Sequence, residues 1–75
     1  MTLDKTPLGS TVRILSLESS DNVTRRLMEM GMVPGSAVRV VKSAPLGDPI
    51  QICVRNYHVA LRRNEARAIT VTTCD

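Results

Sequence analysis

The chain reads as a small, mainly β domain of about five short strands that curl into a barrel, with one inserted helix and a short helical turn. Three observations predict this. Apolar residues alternate in short runs, turn residues punctuate those runs, and one segment alone carries helical spacing. At 75 residues the chain makes one domain that buries only about 60 to 65% of its unfolded surface. Five strands in so small a domain curl readily, and curling limits exposed edges.

Leu8-Gly9 opens with a turn, and Thr11 to Leu17 follows as a strand. Val12, Ile14 and Ser16 lie on one side, and Arg13, Leu15 and Leu17 on the other, so both faces carry apolar groups. Ser19, Ser20 and Asp21 offer N-caps, with Ser20 or Asp21 placed to accept first-turn amides. The helix runs from about Asn22 to Met30, with Val23, Leu27 and Met30 on one face. Arg25 and Glu29 are four apart and predict a weak ion pair. Gly31 suits the C-terminal cap, where a left-handed backbone costs glycine little. Val33-Pro34-Gly35-Ser36 fits a type II turn.

Ala37 to Val41 is the second strand. Ala44 to Pro49 is a loop stiffened by Pro45 and Pro49, each of which fixes its own φ and extends the residue before it. A hairpin follows. A two-residue turn at Arg55-Asn56 pairs Val54 with Tyr57, Ile52 with Val59 and Ile50 with Leu61. The other face then pairs Gln51 with Ala60 and Cys53 with His58. Glycine is the preferred residue at the second turn position, where Asn56 stands. Asn64 to Arg67 makes one helical turn, and Ala68 to Thr72 closes the fold as a strand.

Composition excludes several functions. The net charge of +3 is spread over scattered basic residues with acidic ones between them, which is not the density of a nucleic-acid arm. Tyr57 is the one aromatic residue, so base stacking and proline-rich peptide grooves are disfavoured. Cys53 and Cys74 make no disulfide framework, no apolar h-region follows Met1, and no apolar run approaches the ~20 residues needed to span a bilayer. The expectation is a cytoplasmic protein with reduced thiols.

No nucleophile motif and no phosphate-cradling loop is present, so no catalytic residue is assigned and the chain reads as a non-enzyme. No cofactor is expected. For metal, Cys53 and His58 are the candidates, since facing thiolate and imidazole suit zinc or ferrous iron. A closed site needs about four ligands, and Cys74 or Asp48 would have to join them, so no metal site is assigned. The candidate partner-binding residues are Arg25, Met28, Met32, Leu46 and Asp48. Met28 and Met32 fall off the main helix stripe, and Leu46 sits at a loop tip between prolines. An exposed cluster of the three would form a docking patch. Arg25 or Arg26 has the chemistry to act as an arginine finger in a partner. An exposed edge strand could also pair with a second copy, and the sequence leaves the oligomeric state open.

The run from Arg26 to Gly35, with Leu27, Met30-Gly31 and Pro34-Gly35, resembles the "RL..MG..PG" signature of the FeoA family. Ala44 to Ile50 resembles its "AP.GDP" loop, and Ala60-Leu61-Arg62 with Glu65-Ala66 its "LALR..EA" end. The motifs stand in order from about Leu8 to Val71. Asn56 departs from the family, where many relatives have glycine. The resemblance implies an SH3-like β-barrel with an inserted helix. It also implies a cytosolic accessory of the FeoB ferrous iron transporter that docks on the transporter's GTP-hydrolysing portion. The same module ends metal-dependent repressors of the DtxR type, which gives the alternative of a barrel that binds nucleic acid or transition metal in transcription control. No helix-turn-helix precedes the module here, which favours the free-standing version.

Overall fold

The structure is a computed structural model and describes residues 1–18 and 22–73. The candidate caps Ser19, Ser20 and Asp21, the Val23 side chain and Cys74 lie outside the described residues. Five strands, β1 (Thr11–Leu17), β2 (Ala37–Ser43), β3 (Ile50–Val54), β4 (Tyr57–Leu61) and β5 (Ile69–Thr73), form one antiparallel sheet in the order β4-β3-β2-β1-β5. Helix α1 (Asn22–Glu29) lies between β1 and β2, and α2 (Arg63–Ala66) between β4 and β5. A 3-10 turn at Leu3–Lys5 precedes β1.

Two bulges explain why the apolar pattern breaks. In β1, Ile14 pairs with Val71 and Ser16 with Thr70, so Leu15 is an extra residue. The parity flips there: Val12 and Ile14 face the core before it, and Leu17 packs against the core after it. In β2, Val40 pairs with Ile52 and Lys42 with Gln51, which makes Val41 the extra residue. Leu15 and Val41 are accordingly exposed. Bulges bend a strand and increase its twist, and here they let one sheet coil over one core. That core holds Val12, Ile14, Val38, Val40, Ile50, Ile52, Val54, Leu61, Ile69 and Val71, closed by Leu3, Leu27, Met32 and Ala66.

The β3–β4 hairpin has the register the alternation predicts, from Ile50 opposite Leu61 to Val54 opposite Tyr57. Arg55 (φ +49°) and Asn56 (φ +68°) are both left-handed, as a type I′ turn requires. β4 nonetheless climbs out of the core: Leu61 is buried, Val59 half-buried and Tyr57 exposed. β4 is an edge strand with β3 on one side only, so its turn end has little above it. The outer side of β5, in contrast, is covered by the chain's own start, through a Thr2–Thr70 bridge and a bond from the Val71 N–H to the Met1 carbonyl (2.7 Å).

Candidate docking surface

The loop between β2 and β3 is built as a rigid display. The Gly47 N–H bonds the Ala44 carbonyl at 2.7 Å, closing a turn with Pro45 at its first central position. The Ala44 N–H bonds the Pro49 carbonyl at 2.9 Å and ties the two ends of the loop together. Arg63 braces it from outside. Its Nε donates to the Gly47 carbonyl, its Nη1 donates to the Asp4 carbonyl at 2.7 Å, and its own backbone N–H donates to Asp48 Oδ1 at 2.9 Å. Asp48 therefore satisfies the first free amide of α2, which has no helical partner of its own. Leu46, at the tip, is 96% exposed, the most exposed large apolar side chain among the described residues. Its neighbours are held, and no core contact draws it in.

The end of α1 corrects one expectation. The Met32 N–H bonds the Leu27 carbonyl (3.0 Å) and the Gly31 N–H bonds the Met28 carbonyl (3.1 Å), with Gly31 at φ +102°. This is the Schellman ending, in which the residue after the glycine packs against the residue five before it. Met32 is thus folded back onto Leu27 and is fully buried, so it belongs to the core and not to a docking patch. A further brace comes from Ser36, whose Oγ donates to the Gly31 carbonyl at 2.7 Å. Arg25 is exposed and lies on α1, but it forms no ion pair with Glu29; the one ion pair among the described residues joins Arg67 and Asp4. An exposed helical pair gains too little to hold two long side chains together.

Met28 does reach the surface, but in different company. It lines a groove of about 530 Å³ with Met30, Val33, Tyr57 and the stem of Arg55, which lies over Gly31. The sequence pairs Tyr57 with Val54 among apolar partners and does not mark it as a site residue, yet it is exposed. Met28 and Leu46 do not meet. Tyr57 stands at the turn end of the β3–β4 hairpin and the Leu46 loop enters at the other end, with the five residues of β3, about 13 Å, between them. The surface therefore has two apolar points, a groove at Met28 and Tyr57 and a knob at Leu46.

Cys53 and His58 face each other on the outer side of the hairpin, as the register predicts. Around them, however, are Arg39, opposite Cys53 on β2, and Gln51, whose amide nitrogen lies 3.2 Å from His58 Nδ1. No group of three or more His, Cys, Asp or Glu side chains placed to hold a metal occurs among the described residues. Asp48, the other described donor considered, is bound to α2 at the far end of the hairpin. Two donors beside a guanidinium do not make a closed site. No helix among the described residues is long and apolar enough to cross a membrane.

This fold recurs in solved proteins. The FeoA domain model matches residues 1–73. The chain belongs to the FeoA domain family. The solution structure of FeoA from Chlorobium tepidum superposes with a TM-score of 0.95 at 37% identity, covering 100% of this chain and 71% of that one. FeoA of Stenotrophomonas maltophilia, solved with zinc and described as a procaryotic SH3 domain protein, gives 0.86 at 36% identity over 96% of this chain and 89% of that one. The FeoA domain described here is accordingly a small SH3-like barrel. A curated relative, the Fe(2+) transport protein A/Fe(2+) transporter FeoB fusion protein of Porphyromonas gingivalis, is 37% identical over 71 residues. Those residues are 95% of this chain and 8% of the fusion protein. A manganese-dependent transcriptional repressor shares the fold at 21% identity (TM-score 0.85, covering 99% of this chain and 41% of the repressor).

Proposed function

We propose that this FeoA domain is a cytosolic accessory of ferrous iron uptake that docks on the GTP-hydrolysing portion of an FeoB-type transporter. The domain performs no chemistry of its own; it acts by contact. The observation that carries this reading is Leu46. A leucine 96% exposed on a loop held by Arg63 and Asp48 is a pre-positioned apolar knob, and pre-positioning lowers the entropy cost of binding. The fusion of an FeoA region to FeoB in the Porphyromonas gingivalis relative supports the choice of partner. The Met28–Tyr57 groove offers a second contact point, and the exposed Arg25 stands three residues before Met28 on α1. Asp48 contributes by holding the loop, and as an exposed residue it is open to a partner.

The test is deletion of the chain followed by ferrous uptake, with complementation by the natural sequence and by Leu46→Asp. Impaired uptake restored by the natural sequence and not by the variant supports the reading. Normal uptake in the deletion strain removes it.

A further inference from the structure

The arginines around the Leu46 loop divide into two groups. Arg63 and Arg67 serve the fold: the first clamps two carbonyls, and the second pairs with Asp4 at 3.6 Å. Arg26 and Arg62 do not. Both are exposed, and neither guanidinium has a hydrogen bond or ion pair among the described residues. They come from different elements, α1 and the end of β4, yet they line one cleft of about 310 Å³ with Pro49, Ala60 and Glu65. Glu65 offsets one of the two charges and pairs with neither guanidinium, its Oε1 accepting the Arg62 backbone N–H at 2.8 Å, so the cleft keeps a net positive charge. A second cleft of about 260 Å³ adjoins the first, since Pro49 and Ala60 line both. At its far side stands Lys42, also without a partner among the described residues.

The two clefts form a trough with an apolar middle, Pro49 and Ala60, and cations at either end. Pro45, next to Leu46, belongs to its wall. The trough is thus continuous with the loop that carries the docking knob. It runs beside β4, whose outer side is open. A second copy of this chain, with a net charge of +3, has the wrong sign for a trough with cations at either end.

We propose that this trough takes an extended acidic segment of the transporter's cytosolic portion. One carboxylate of that segment sits between Arg26 and Arg62, an apolar residue lies over Pro49 and Ala60, and a second acidic side chain reaches Lys42. The forked guanidiniums suit the first carboxylate through paired N–H donors. Three cations around an apolar floor fit a short acidic peptide; they do not track the evenly charged backbone of a nucleic acid. The proposal rests on the docking reading above and gives that contact its chemistry.

Two titrations separate the two ideas. In the first, the labelled full chain is mixed with a synthetic six-residue peptide alternating Glu and Val, with the same peptide carrying Gln for Glu, and with a short DNA duplex. The expected result is amide shifts centred on Arg26, Lys42, Ala60 and Arg62 with the Glu peptide, absent with the Gln peptide and in the Arg26→Ala/Arg62→Ala variant. Equal shifts with the Gln peptide, shifts elsewhere, or shifts at these residues with DNA alone overturn the trough. In the second, the transporter's cytosolic portion is titrated with the natural chain and with the double variant, whose amide spectrum verifies its fold. A loss of affinity of at least tenfold, shrinking as salt is raised, is expected. Unchanged affinity in the variant overturns the trough and leaves docking standing. Binding of the Glu peptide with no binding of the transporter portion removes docking, and with it the transporter as the source of the segment, while the trough's preference for an acidic peptide stands.

Discussion

Replacing Arg63 with alanine removes the brace on which the docking loop depends. The guanidinium donates to the Gly47 and Asp4 carbonyls, which are 43 residues apart in sequence. A hydrogen bond contributes about 0.5 to 1.5 kcal/mol net, and more where one partner is charged. Arg63 is half-buried, so water replaces part of what is lost, and two such bonds sum to about 2 kcal/mol. For a domain of this size that corresponds to a fall in Tm of about 8 to 16 °C. Arg63→Lys keeps the charge but lacks the fork, so one ammonium reaches one carbonyl well and recovers about half of the loss. Thermal unfolding followed by circular dichroism measures the global effect. Amide exchange at Ala44 and Gly47, both bonded within the loop, measures the local one. The account expects both amides to exchange faster in Arg63→Ala even below the transition. A Tm change under about 2 °C with unchanged exchange would show that the loop holds itself and that Arg63 is incidental.

Other substitutions probe the parts of the fold that set the surface. Met32→Ala empties a fully buried site and costs about 2 to 5 kcal/mol, a large share of what a domain this small has, and denaturant unfolding checks it. Gly31→Ala meets two penalties. The left-handed backbone costs about 1 to 2 kcal/mol, and a Cβ there lies 2.8 Å from Arg55 Cδ. In an Arg55→Ala background the second penalty disappears and the first remains, so a double-mutant cycle separates them. For metal, zinc titration followed by calorimetry is expected to give no tight stoichiometric binding attributable to Cys53 and His58. A tight site lost in Cys53→Ser and His58→Ala overturns that expectation.

Much of this fold is legible in the sequence because short-range chemistry specifies it. The hairpin register follows from matching Ile50, Ile52 and Val54 to Leu61, Val59 and Tyr57, where a one-residue slip would turn every side chain over. Gly31 and Gly35 mark a helix end and a turn because both need positive φ. The apolar side chains that broke alternation, Leu15 and Val41, are the bulged residues, so the irregularity was visible although its meaning was not. Met32 was misplaced because helical spacing stops applying at the glycine, and the Schellman contact with Leu27 then decides its fate. That signal, an apolar residue directly after a capping glycine, is readable. The candidate site was less legible. Arg63 reaches Asp4 across 59 residues, and no local pattern announces such a bond. The convergence of Arg26 and Arg62 on one cleft likewise depends on how α1 and β4 are brought together.

The central claim is that Leu46 is a contact residue and not part of the core. Its direct test is the affinity of the natural chain and of Leu46→Asp for the cytosolic portion of an FeoB-type transporter, with thermal unfolding of both in parallel. The account predicts that Leu46→Asp unfolds within about 0.5 kcal/mol of the natural chain, as an exposed substitution should, and binds at least tenfold more weakly. Equal affinity at equal stability would contradict it, and so would a variant that fails to fold.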